Sequence, residues 1–449
     1  MTKKARYVTL RSVEELRARL RAAAARASAV QRSHEVIWTS DPTARRTVGE
    51  FLSGAAGLRA LVVTDRRGLS EWRETLGGEC RVVTASAESH ERSYYAWPDI
   101  FVATLQQTLR RPALFAQTWD VVLLDRAEAL RDASSKTCKA LGRFCCRARW
   151  ALTSTPMQNA EEDVDALKAF CRSKQDTRSF LESSVARVVL EEDPEDCLTV
   201  RVHGVTLSEH EREAYVACAR DVRPTRKSLM AENELRKCCS HPALHLRSVY
   251  AGLASGALPA LSAEAAARLR ADSSAWSTRT SSKHAAVAEV LHGAGGGVAL
   301  TAWRGEADLL SRALVKCGFE VHDDAAVFFS RSDRGQDHQD HHQDQVLVLT
   351  QGDADQERAL LLGLSSSSLV VAVTSVHWNP FASSFLTHAF QGKRYFSRLA
   401  LHVFAGRDTV DEAVLRVQLS KLGSWRETLE DPCALSTYEA AVKEYLAQL

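Results

Sequence analysis

Trp119-Asp120-Val121-Val122-Leu123-Leu124-Asp125-Arg126-Ala127-Glu128 is an apolar run closed by an acid, and it is followed further on by Arg149-Trp150-Ala151-Leu152-Thr153-Ser154-Thr155-Pro156-Met157-Gln158-Asn159. An apolar strand ending in a carboxylate is the usual way an α/β nucleotide site offers an acid to magnesium. Working outward, short apolar runs alternate with helical patterns at Val36–Trp38, Ala60–Thr64, Ile100–Thr104, Val121–Asp125 and Trp150–Thr153. This rhythm predicts a parallel α/β layer. It restarts at Val298–Thr301, Val346–Thr350, Val370–Thr374 and Leu401–Phe404, which predicts a second α/β lobe.

Between the two sets, Glu191–Asp196 is acidic and loop-like. Leu207–Leu246 reads as helical and opens with Ser208 and Glu211 in the Ser-x-x-Glu form of a capping box. Residues 247–280 are rich in Ala, Ser and Gly and carry little periodic signal. The expected division is a basic helical extension over 1–32, a first lobe over 33–190, a helical inter-lobe segment and linker over 191–280, a second lobe over 281–425 and a helical tail over 426–449. The boundary between lobes is expected near residues 245–285. Residues 331–345 form a polar insert whose His338, His341, His342, Asp337, Asp340 and Asp344 are ligand-type side chains in a solvated, low-complexity loop, so no metal site is expected.

With 449 residues, 45% hydrophobic and 25% charged, the chain has globular composition and room for two or three domains. A net charge of +2 gives no whole-molecule attraction to nucleic acid, so any basic contact has to be local. The eleven cysteines show no CxxC spacing, which excludes a zinc ribbon or RING and fits reduced thiols inside a cell. The first 32 residues lack the apolar centre of a secretory signal, and no run is long enough to span a bilayer, so no membrane association is expected.

Residues 149–159, continued by Glu162-Asp163-Val164-Asp165-Ala166-Leu167, closely resemble the "RWxLTGTPxQNxxxDLxxL" stretch of Swi/Snf-type ATPases of helicase superfamily two. Other segments resemble that family in the same order. Ala60–Thr64 with Leu69, Trp72 and Leu76 resembles "LVVxPxxLxxxW", and Asp99–Thr104 resembles "DVVITTY". Leu207–Tyr215 resembles "LSPEERxxY", and Leu235–Pro242 resembles "LRQxCxHP". Ser281-Ser282-Lys283 resembles "SSK", Trp378-Asn379-Pro380 resembles "WWNP", and Asp408–Leu415 resembles "DTVEExIL". The resemblance implies two RecA-like parallel-sheet lobes. It also implies that Thr153, Ser154 and Thr155 stand at the family's third motif.

The departures from the family carry as much meaning. Its phosphate loop "DxMGLGKT" aligns with Asp41-Pro42-Thr43-Ala44-Arg45-Arg46-Thr47, where neither loop glycine is present. Those glycines let backbone N–H groups close around phosphates. Arg46 stands at the lysine's place and Thr47 at that of the magnesium-binding hydroxyl, so Arg45, Arg46, Thr47 and Asp125 form a remnant. Pro42 and the lack of glycine over 43–46 predict an irregular or shortened turn there. The "DEAH" motif reads Asp125-Arg126-Ala127-Glu128, so the residue that orients the attacking water is a cation. The last motif, with its arginine finger, falls on Phe385–Arg394, where only Gln391, Lys393 and Arg394 stand near the required positions.

The resemblance with these losses implies a catalytically inactive helicase-like binding or scaffold subunit, with no cofactor. Its implied partners are DNA or chromatin and proteins of a larger assembly, in the nucleus. Arg110, Arg111, Lys136 and Lys139 are the DNA-contact candidates, because the family runs DNA along the corresponding face. Two competing readings are a divergent DNA-dependent ATPase in which Arg46, Thr47 and Asp125 still hold Mg-ATP, and a purely structural protein-interaction subunit.

Overall fold

The computed structural model describes residues 7–28, 33–39, 42–77, 82–84, 99–157, 161–188, 198–222, 228–255, 263–332, 344–351, 368–375, 377, 398–428 and 433–449. They form two compact units, Met1–Glu192 with Lys421–Asp431 and Asp193–Ser420 with Pro432–Leu449. The first holds the strands β1 (Val8–Leu10), β2 (Ser33–Trp38), β3 (Ala60–Thr64), β4 (Val82–Thr84), β5 (Ile100–Thr104), β6 (Thr118–Leu124), β7 (Cys145–Thr153) and β8 (Val185–Val188). They pair in parallel in the order β1-β8-β2-β7-β6-β3-β5-β4. The second unit holds β9 (Leu198–Val205), β10 (Gly296–Thr301), β11 (Glu320–His322), β12 (Gln345–Thr350), β13 (Ser368–Val373) and β14 (Arg398–Gly406). These are also parallel, in the order β11-β12-β10-β13-β14-β9.

The central strands are unbroken apolar runs because helices cover both faces of a parallel sheet. Val62, Val102, Val121, Leu123 and Trp150 form one core with Val48, Leu52 and Trp72 of the flanking helices Pro42–Gly54 and Arg66–Leu76. Ala299, Val346, Val348, Ala372 and Phe404 form the other with Leu291, Leu310 and Leu314. Among the described residues no helix is long and apolar enough to cross a membrane.

Several expected boundaries move. The second unit begins at Asp193 rather than near 245–285, because β9 pairs along its whole length with β14, from Leu198↔Leu399 to Val205↔Gly406. β9 alternates half-buried and exposed residues at the sheet edge, so it carries little apolar signal. Gly204 on that strand has no room for a Cβ: one would lie 2.8 Å from the Tyr445 ring, which packs there from the helix Cys433–Ala447. Of the expected tail 426–449, residues 432–449 are thus part of the second unit, while 426–431 fall in the first. The expected amino-terminal extension likewise belongs to the first core, since Leu16, Leu20, Ala23 and Ala27 of the helix Val13–Ser28 are buried.

The expected helical stretch 207–246 is three helices, Glu209–Val222, Ser228–Ser240 and Pro242–Ala254. The last break is set by Pro242 at the first helical turn with the His241 ring accepting from Ala243 N–H at 3.2 Å. The capping box is formed, with Ser208 N–H donating to Glu211 at 2.9 Å and Glu211 N–H to Ser208 Oγ at 3.4 Å. Residues 263–277, which carry little periodicity, are also helical.

Candidate functional site

β6 is a central strand of the first sheet, and Asp125 stands directly after its last residue, 3% exposed. Its main chain is held by an N–H bond to Val63 O at 2.8 Å. Its carboxylate is enclosed by donors. Oδ2 accepts from Thr64 Oγ1 and from the Trp72 indole N–H, each at 2.9 Å, and Oδ1 accepts from Arg45 Nη2 at 3.2 Å. Burial pushes the acid upward, but the Arg45 and Arg126 charges with the Trp72 and Thr64 hydrogen bonds outweigh it and hold Asp125 below its ordinary value.

Around this centre the ion pairs continue. Arg45 also pairs with Glu71, whose other oxygen accepts from Arg126 Nη2 at 3.1 Å, and Arg126 Nε lies 3.6 Å from Asp65. Arg126 reaches them from a left-handed backbone conformation, φ 55°, at the turn after β6. The helix Arg66–Leu76 comes this close because residue 68 is glycine. A Cβ there would sit 1.9 Å from Thr64 Oγ1 and 3.1 Å from Asp125 Oδ2. Gly68→Ala is therefore expected to destabilise the chain by about 2 kcal/mol through overpacking, read from the denaturation midpoint. An unshifted midpoint would show that the approach is loose.

The phosphate-loop segment is helical from Pro42 onward, so the irregular turn expected there is not formed. Proline suits a first helical turn, where its missing N–H costs nothing, and residues 43–46 without glycine favour helix over a cradle. The helix turns its residues so that Arg45, not Arg46, points at Asp125; Arg46 is exposed. Thr47 is buried, and its hydroxyl donates back to Thr43 O at 2.8 Å.

Glu128 accepts from Thr153 Oγ1 at 2.9 Å and from Ser154 N–H at 3.2 Å, which ties the second acidic motif to the Thr153–Thr155 turn. Burial raises its pKa against the Thr153 hydrogen bond. Thr153 Oγ1 also lies 2.6 Å from Thr155 O. Trp150 lies in the core, and Trp303 is partly buried beneath the Arg236 guanidinium, 5.3 Å away.

Lys136 and Lys139 are exposed on the helix Lys136–Gly142, and Arg110 is exposed at the end of the helix Leu105–Leu109, next to the half-buried Arg111. Gln391, Lys393, Arg394 and Trp378 lie outside the described residues, as does most of the insert 331–345. Asp344 of that insert is described and pairs with His292 at 2.9 Å. Sequence reasoning did not identify Glu71, Asp65 or Gly68 as part of this centre. Thr64 and Trp72 had a signal, their place in the "LVVxPxxLxxxW" pattern.

In the second unit the residues resembling "SSK" and "DTVEExIL" meet. Lys283 Nζ, fully buried, donates to Thr374 O at 3.2 Å and pairs with Asp411. Asp411 also accepts from Gly406 N–H at 2.9 Å and from the Cys239 thiol at 3.1 Å. Ser282 N–H donates to Glu211 at 2.8 Å, joining the capping box to the same helix start.

Two parallel sheets, each with helices, and a carboxylate at the end of a central strand define a parallel α/β protein. Residues 59–185 match the model of the SNF2-related domain. Transcription termination factor 2 of Drosophila melanogaster is 40% identical over 78 residues, 16% of this chain and 7% of that protein. The chromatin-remodeling ATPase INO80 of Debaryomyces hansenii is 35% identical over 72 residues, 16% of this chain and 5% of that protein. The matched part is thus a small fraction of these relatives' own length. The Sulfolobus solfataricus SWI2/SNF2 ATPase core in complex with dsDNA aligns with 100% of this chain and 98% of its own, at 13% identity and a TM-score of 0.37.

Proposed function

We propose that this chain is an SNF2-type pseudo-ATPase that serves as a DNA- or chromatin-associated binding subunit. The observation that carries the reading is the saturation of Asp125 by Arg45, Thr64 and Trp72. A magnesium seat needs a carboxylate oxygen facing water and phosphate. Here a divalent ion would meet a guanidinium within hydrogen-bond reach of Oδ1. Two unit charges about 4 Å apart repel by roughly 4 kcal/mol near a protein surface, and the ion carries two. Arg126 stands where the resembled motif has a carboxylate, and a guanidinium cannot accept the attacking water's proton. The Arg126–Glu71 pair also makes that arginine a fixed part of the wall. The DNA and chromatin side of the proposal is supported by the relatives, one of them a chromatin-remodeling ATPase.

The test is steady-state phosphate release with and without duplex DNA, alongside nucleotide binding. No turnover above background is expected for the wild type or for Arg126→Glu, because the phosphate cradle is still missing when the acid is restored. Wild-type hydrolysis that Asp125→Ala abolishes would replace this reading with that of a divergent ATPase. Duplex DNA binding by the same preparation separates a DNA-associated subunit from a purely protein-binding one.

A further inference from the structure

The carboxyl ends of the strands carry the Asp125 centre, and the opposite edge of the same sheet carries a cavity of about 450 Å³. It opens where β2 and β7 begin, with Ser33 registered on Ala148. Its size falls in the ordinary range for small-molecule sites. Four of its lining residues are cations, Arg147 and Arg149 from β7 and Arg172 and Lys174 from the segment after the helix Glu162–Cys171. No carboxylate lines it among the described residues, although Arg147 does pair with Asp120 at 3.1 Å.

We propose that this cavity is a binding site for a small oxyanion of the phosphate class. Three observations converge. Arg149 is 4% exposed, and its guanidinium is fixed in the wall by the main-chain carbonyls of Leu141, Gly142 and Phe144 at 3.1, 3.2 and 2.7 Å. The charge is therefore held in place before any ligand arrives; with three N–H bonds already given to carbonyls it contributes a fixed positive field to the cavity rather than a free fork. Arg172 closes its helix from the left-handed region, φ 56°, with its N–H on Ala169 O and Lys168 O. Glycine is the residue that position ordinarily takes. An arginine there places a guanidinium at the rim in spite of the conformational preference. Ser33 is 6% exposed, lines the cavity, and its Oγ has no hydrogen-bond partner among the described residues. Buried hydroxyls are nearly always paired, so an unpaired one in the wall of a cationic cavity is a donor waiting for an acceptor.

Isothermal titration of the full chain with pyrophosphate at low ionic strength tests this. Saturable binding is expected, weakened at least about tenfold in Arg172→Gly/Lys174→Ala, since each lost cation removes a charge-assisted contact. Arg172→Gly suits the left-handed backbone, and Lys174 is exposed, so this variant keeps its fold. Ser33→Ala, which deletes only an unpaired oxygen, is expected to fold normally and to bind more weakly. Competition by a 5′-phosphorylated but not a 5′-hydroxyl oligonucleotide would identify the source as a nucleic-acid end, and no competition by either would identify a free phosphate ester. Absence of saturable binding, or equal affinity in all variants, overturns the proposal. So does a loss of affinity in Arg45→Ala that the Arg172 and Ser33 variants do not share, since the anion would then sit at the Asp125 centre.

Discussion

Asp125→Ala is expected to destabilise the first unit by about 3 kcal/mol while changing no measurable catalysis. The carboxylate is buried and accepts three hydrogen bonds, and removing it leaves the Thr64 hydroxyl, the Trp72 indole N–H and one side of the Arg45 guanidinium without their acceptor. Breaking one partner of a buried pair commonly costs about 3–5 kcal/mol. Thr64 and Trp72 can regain little by rotating toward water, because both are buried. An acid kept for metal chemistry behaves differently, since functional carboxylates are commonly held at a cost to stability and their removal is neutral or favourable. The sign of the stability change therefore discriminates between the two roles. Because the folded pKa of Asp125 lies below its ordinary 3.8, its contribution is full above that value and is lost as pH falls further. Hydrogen exchange of the β3 and β6 amides is the measurement, and faster exchange in Asp125→Ala at pH 7 that converges on wild type in acid is the expected result. Unchanged exchange at pH 7 would return Asp125 to the role of an open metal ligand.

How much of this was legible beforehand depended on whether burial or partnership made the signal. The expected strands at 36–38, 60–64, 100–104, 121–125 and 150–153 fall on or overlap β2, β3, β5, β6 and β7, because strands covered on both faces are almost wholly apolar. Edge and short strands escaped. β9 alternates polar and apolar residues, and β8, four residues long, includes Arg187. The site was partly legible as well. Asp125 and Arg126 stood out through their place in a motif, but Glu71 and Gly68 matter only through what lies opposite them in space. The choice between Arg45 and Arg46 turned on helical phase. An aligned motif puts Arg46 at the lysine's place, whereas a helix beginning at Pro42 rotates it into solvent and brings Arg45 to the acid. The absence of glycine over 43–46, which lets the segment be helical, thus sets which residue faces the acid.

Lys283→Met is expected to cost the second unit about 3–5 kcal/mol, comparable to the loss of Asp125 in the first. Lys283 has no solvent exposure, and its ammonium is shared between Asp411 and the Thr374 carbonyl. Burial alone would favour the neutral amine, but the Asp411 charge outweighs it and holds the lysine protonated. Methionine keeps most of the volume and removes the charge, so the penalty measures what Asp411 loses. Gly406 N–H and the Cys239 thiol remain on that carboxylate, yet neither supplies a charge. An uncompensated buried ion is the expensive outcome, whereas removing both members of such a pair is often neutral. Lys283→Met/Asp411→Leu is accordingly expected to recover a substantial part of the loss, giving a non-additive cycle. Hydrogen exchange over β10, β13 and β14, the strands this pair sits against, reports the second unit alone. A double variant no better than Lys283→Met would mean that the lysine acts through Thr374 and the core rather than through Asp411. Recovery in the double variant would mark the Ser281-Ser282-Lys283 start of this helix as a structural clamp, one that holds its strand ends in place with no nucleotide required.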